Sequence, residues 1–216
     1  VIKKPGIAEL LDVMARLRSP TGCPWDREQD HKSLRWHAVE EVYELLDAIE
    51  AEDDHELAEE LGDLLLQVVF HCQLGKERGA FDFETVTRHL TDKLIRRHPH
   101  VFGDLKVKDV DQVWANWEKI KRAEKHGTRH ARPSALDGIP KHLPALLRAE
   151  KLLKKARRAE LTDPLPNRRR LTRAKLAQEL FELAAYAQGK GWSAEDLLLT
   201  ETRKHERKWR KRESPT

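Results

Sequence analysis

The chain has 216 residues, with 41 Lys and Arg against 37 Asp and Glu and a formal net charge of +4. Hydrophobic residues make up 39% and charged residues 36%, a composition that reads as globular, highly charged and helical. Two cysteines, Cys23 and Cys72, exclude a disulfide framework, and no apolar run is long enough for a transmembrane helix. No signal-peptide pattern precedes the first helical stretch, so a reducing, cytoplasmic location is the expectation.

Residues 7–18, IAELLDVMARLR, carry apolar side chains at 7, 10, 11, 14 and 17, which is helical spacing. Ser19-Pro20 ends that helix, and SPTGCPWD reads as a turn-rich loop. Trp25 lies in the loop, either as a packing plug, the favoured reading, or as a flat surface for a base. A second helix is predicted from about His31 to Ala51, with an apolar stripe of Leu34, Ala38, Val42, Leu45, Leu46 and Ile49. Asp53 then caps a third helix running to about Arg78, with Glu56 placed as in a capping box. These two helices form an antiparallel hairpin with a very short turn.

The hairpin is the chemical centre of the chain. From Trp36 to Gly75 there are 12 carboxylates and no Lys or Arg. Glu40, Glu41 and Glu44 form an EExxE, and Glu60 and Asp63 an ExxD. Carboxylates at i, i+3 share a helix face, and the hairpin puts 41/44 and 60/63 at similar heights. Asp63 sits in LGDLLLQVVF, apolar nearly all round its helix, so this helix is expected to be buried. A carboxylate there is costly unless it is paired or metal-bound. Oxygen donors in this density point to a divalent cation, Mg²⁺ or Mn²⁺. The other acids of the run, Glu50 to Glu59, read as solvated surface. Cys72 follows His71, but without a CxxC it reads as an ordinary buried thiol.

Asp82 caps a fourth helix, which ends at Pro99 and sets Lys93 and Arg97 on one face. They read either as a solvated basic face or as contacts for a triphosphate beside the acids. A fifth helix, VDQVWANWEKIKRAEK, carries Trp114 and Trp117. One is core, and the other is either core as well or a stacking surface for a nucleobase. Residues 127–137 read as a linker. Beyond it, residues 148–175 hold 11 Lys and Arg against three acids. QGKGW and TRKHERKW echo the earlier QLGKERGAF and TDKLIRRH, so the C-terminal part reads as a faded copy of the first. Aligning Gln73 with Gln188 sets Lys175 opposite Glu60 and Gln178 opposite Asp63, so the copy has lost its metal-binding acids.

In order, LLDVMARLRSPTGCPWDREQ, EEVYELLDAIEAED, EELGDLLLQVVFH, FDFETVTRHLTDKLIRRHPHVFGD and WEKIKRAE resemble the MazG family of nucleoside triphosphate pyrophosphohydrolases. The resemblance covers about residues 7–125. Residues 135–212 resemble that family's second tandem domain, shortened and degenerate. It implies an all-α helical bundle assembled as a homodimer, with domains at 1–126 and 140–216 joined by a linker at 127–139. The implied reaction is Mg²⁺-dependent hydrolysis of an NTP or dNTP to the monophosphate and pyrophosphate, in nucleotide-pool house-cleaning. The resemblance makes Glu41, Glu44, Glu60 and Asp63 metal ligands. Glu40 is left to orient water or hold a second metal. Lys93 and Arg97 become phosphate contacts and Trp117 a base contact, with Trp25 a further candidate. Cleavage between the α and β phosphates calls for a metal-activated water in line with the leaving pyrophosphate, and no covalent nucleophile.

Two rivals are weaker. HELAEELGD resembles part of a Nudix box, but position 41 is Glu where that motif needs Gly, and no GxxxxGK[ST] P-loop is present. The other is a nucleic-acid-binding or regulatory protein on an inactive MazG-like scaffold. Its support is the basic C-terminal half, which leaves nucleic acid open as a partner without making it the expectation. No membrane partner is expected.

Overall fold

The structure, a computed structural model, describes residues 6–124, 127, 128, 131, 133–163 and 171–213. The regular secondary structure of the described residues is all helix, with no strand among them. The chain divides into two compact units, Val1–Val113 and Trp114–Thr216.

In the first unit, α1 (Gly6–Leu17) leads through a tight turn into a short α2 (Pro24–Glu28). Pro24 opens α2 where its missing N–H is harmless, so part of the expected loop is helical. The next helix, α3 (His37–Ala51), begins six residues later than its apolar spacing predicts. Asp30 explains the delay. Its carboxylate accepts the backbone N–H of Lys32 at 2.7 Å and of Ser33 at 2.8 Å, so residues 31–36 form turns instead of helix.

From α3 the chain passes to α4 (Asp54–Glu77) through only Glu52 and Asp53. Glu52 takes the left-handed conformation, φ 55°, that ends a helix sharply. Asp53 is the predicted cap and accepts from the N–H groups of His55 and Glu56. The two helices pack along each other as the expected hairpin. After α4, Asp82 caps α5 (Phe83–Arg97) by accepting from the Thr85 N–H at 2.8 Å. Pro99 starts a short α6 (Pro99–Phe102).

The core of this unit is Met14, Leu34, Val69, Phe70 and Leu74, joining α1 and the C-terminal half of α4 around the turn that carries Leu34. Arg18 locks the same end. Its guanidinium makes a two-pronged bond to Glu77, 2.7 Å on each prong, and this holds the Glu77 carboxyl below its ordinary range. The expectation that all of α4 is buried is corrected. Burial is confined to Gln67, Val69, Phe70, Cys72, Leu74 and Gly75, whereas Leu61, Leu65 and Val68 are 38–50% exposed. The predicted stripe of α3 is likewise split, with Leu34 buried and Val42, Leu46 and Ile49 half exposed.

Gly75 shows what the packed end of α4 requires. A Cβ there would stand 2.7 Å from both the ring and the carbonyl oxygen of Phe81. In an isolated helix alanine would be favoured over glycine by about 1 kcal/mol. Here the sign should reverse: Gly75→Ala should destabilise the protein by about 1–3 kcal/mol in urea unfolding, through overpacking.

In the second unit, α7 (Val110–Ala123) crosses the division point, followed by α8 (Ala145–Arg158), α9 (Arg173–Gly189) and α10 (Ala194–Glu213). Leu136, Leu152, Ala156, Leu161 and Trp209 form its core, with α8 packed on α10. Several basic residues of this half are turned to internal use. Arg148 donates to Glu206 at 2.6 Å, Arg210 reaches Asp137 and Glu206, and Arg212 holds Asp163. Parts of the expected linker and of the basic run, including residues 164–170, lie outside the described residues.

Candidate metal centre

The site is built by the hairpin. α3 carries Glu41 and Glu44, α4 carries Glu60 and Asp63, and the two-residue connection sets them side by side. One carboxylate oxygen from each of Glu41, Glu60 and Asp63 lies within 4.8 Å of the others. All three side chains are half-buried. Glu60 Oε2 is buried without a hydrogen-bond partner, an acceptor left open to a donor or a cation.

The electrostatics carry the mark of crowded like charge. Desolvation first, then Glu41 and Glu40, push the Glu44 carboxyl above its ordinary value. Glu60 is raised too, by desolvation and then by Glu44, Asp63 and Glu41. Among the described residues, no Lys or Arg pairs with Glu41, Glu60 or Asp63. A set made only of carboxylate oxygens, one of them open and all repelling one another, suits a hard divalent cation.

Not every predicted residue joins the cluster. Glu44 is exposed and coupled to it by charge, while Glu40 is exposed and lies 3.8 Å from His37 Nδ1. Lys93 and Arg97 share a face of α5, four residues apart, in the same compact unit as the acids, and both are half-buried. Trp25 is 52% exposed and edge-on to His37, so the packing-plug reading is corrected. Trp117 is half-buried on α7. In the second unit, Lys175 and Gln178, which the sequence alignment sets opposite Glu60 and Asp63, are exposed, and no acid trio forms among its described residues.

Sequence reasoning missed Gln67. Its Nε2 donates to Glu41 Oε1 at 3.2 Å across the hairpin. The available signal was a lone amide in the apolar run LLLQVVF, four residues after Asp63. It also missed a chain of rings and guanidinium in which His31 Nδ1 meets His71 Nδ1 at 2.9 Å and Arg78 reaches His31 Nε2 at 2.8 Å. Arg78 can only donate, so His31 accepts at Nε2 and donates from Nδ1 to His71.

Carboxylates paired on two adjacent helices define the class: an all-α protein with a metal-type acidic centre in a helical hairpin. The sequence pattern of the MazG nucleotide pyrophosphohydrolase domain matches residues 29–102, which contain every acid of the cluster. The chain is 50% identical over 150 residues to the nucleoside triphosphate pyrophosphohydrolase of Escherichia coli (strain K12), covering 69% of this chain and 56% of that protein. It is 46% identical over 157 residues to the nucleoside triphosphate pyrophosphohydrolase/pyrophosphatase MazG of Thermotoga maritima, covering 72% and 59%. It is also 51% identical over 142 residues to the uncharacterized protein YabN of Bacillus subtilis, covering 66% and 28%. Residues 29–102 of the chain thus carry the MazG nucleotide pyrophosphohydrolase domain. The chain spans less than two thirds of the length of these relatives.

Proposed function

We propose that this chain is a nucleoside triphosphate pyrophosphohydrolase, cleaving NTP or dNTP to the monophosphate and pyrophosphate with Mg²⁺, or Mn²⁺ in its place. The observation that carries the reading is the trio Glu41, Glu60 and Asp63, drawn within 4.8 Å inside the matched segment. These three, with Glu44, would hold the cation. When bound, the cation supplies positive charge for phosphate oxygens and acidity for an attacking water. Lys93 and Arg97 would take up charge on the departing pyrophosphate. Glu40 and Glu44 are the candidates to accept the water's proton, and Trp25 offers a flat face to a base; the role of Trp117 as a base contact rests on the family resemblance alone. A base held by stacking gives broad specificity, as suits house-cleaning of the nucleotide pool.

The domain division at 127–139, with a non-catalytic second domain, belongs to the same proposal. So does a homodimer, supported by two stripes at i, i+4, i+7: Val42, Leu46 and Ile49 on α3, and Leu61, Leu65 and Val68 on α4. The free thiols of Cys23 and Cys72 support a reducing compartment, the cytoplasm. No described helix is long and apolar enough to cross a membrane.

The test is product analysis with a panel of NTPs and dNTPs, in Mg²⁺ or in EDTA. Metal-dependent monophosphate plus pyrophosphate is the expected result. Diphosphate plus phosphate would place scission at the wrong bond and sink the proposal.

A further inference from the structure

Gln67 is 7% exposed, in the middle of an apolar run on α4. Its Nε2 bonds to Glu41, while its Oε1 is buried with no partner. An amide buried with its oxygen unpaired lowers stability, whereas a leucine of similar volume would not. The bond it does make leads to the metal-type centre. Gln67 stands four residues after Asp63 and seven after Glu60, so all three share one face of α4. Glu41 faces them from α3. A donor on one oxygen of a carboxylate fixes its plane, which is how groups behind metal ligands set the geometry of the ligands themselves.

We infer that Gln67 is a positioning residue, whose amide N–H reaches across the α3–α4 hairpin to orient the Glu41 carboxylate for cation binding. The inference rests on the metal reading above, though not on turnover. It takes Gln67 as a residue kept for the centre at the expense of the fold. Removing the amide should therefore leave the metal-free protein as stable as before, or more so, while weakening the cation.

The probe is Mn²⁺, titrated into the full chain and read from the electron paramagnetic resonance signal of the free ion. Wild type, Gln67→Leu, Glu41→Gln and the double variant are compared, each with a metal-free thermal melt. Gln67→Leu should bind Mn²⁺ about 10–100-fold more weakly with an undiminished melting midpoint. In the Glu41→Gln background the same change should add less than about twofold, because its target is already altered. Gln67→Met, flexible and also without a donor, carries the same expectation and replaces the leucine variant if that one fails to fold. Mn²⁺ binding by the Gln67 variants within about twofold of wild type would overturn the inference, as would full additivity with Glu41→Gln. Wild-type protein that binds no Mn²⁺ would overturn both this inference and the metal reading. Mn²⁺ binding without NTP hydrolysis would remove the proposed activity and leave the role of Gln67 standing.

Discussion

Asp63→Asn should abolish metal-dependent turnover while leaving the protein folded. The substitution keeps the size and one oxygen of the side chain but removes its negative charge. Asp63 is half-buried and shares the trio with Glu41 and Glu60, so its charge is one of the few that can face a cation there. Loss of a group that merely supports a metal ligand typically costs 10–100-fold, so loss of a ligand's charge should cost at least about a hundredfold. Stability should not fall, because removing one of several repelling carboxylates relieves the cluster. Glu44→Gln should follow the same pattern. Steady-state rates with a saturating nucleotide, alongside thermal melts, separate the two effects. Unchanged activity in both variants would sink this site.

Adding the cation should stabilise the protein strongly, and more so at higher pH. At a hundredfold excess over its dissociation constant, a ligand that binds only the folded form should raise the melting midpoint of the first unit by about 10 °C or more. The pH sign follows from Glu44 and Glu60, whose carboxyls are held above their ordinary values without metal. Such groups keep protons in the folded chain that the unfolded chain gives up. Their contribution to stability is fully present below the unfolded pKa and is lost as pH rises through the folded one. Metal-free protein should therefore lose stability from the ordinary carboxyl range upward. A cation held by those carboxylates as proposed needs them ionised, so its stabilising effect should grow over the same interval. Melts at pH 5 and pH 8, with Mg²⁺ or EDTA, check this directly. A shift larger at pH 5 would contradict it.

The parts of this structure governed by local chemistry were legible in the sequence. Asp53 and Asp82 announce their helices because a cap is a bond between neighbours in the chain. The i, i+3 acids were legible for the same reason, since helix geometry alone puts them on one face. The start of α3 was misplaced because Asp30 competes for the backbone N–H groups that would have begun the helix, a contest apolar spacing cannot register. Burial was misjudged for Leu61, Leu65 and Val68. An apolar run shows that side chains favour cover, without showing that this chain alone supplies it. Gln67 escaped notice because its partner is 26 residues away on another helix.

The hairpin connection at Glu52 and Asp53 has a kinetic meaning. All four acids of the centre fall between positions 41 and 63, on two helices joined by those two residues. Contacts so close along the chain carry a small loop-closure penalty and form early in folding. The repelling carboxylates are thus brought together by the hairpin itself. A divalent cation held there as proposed would offset that repulsion within the hairpin.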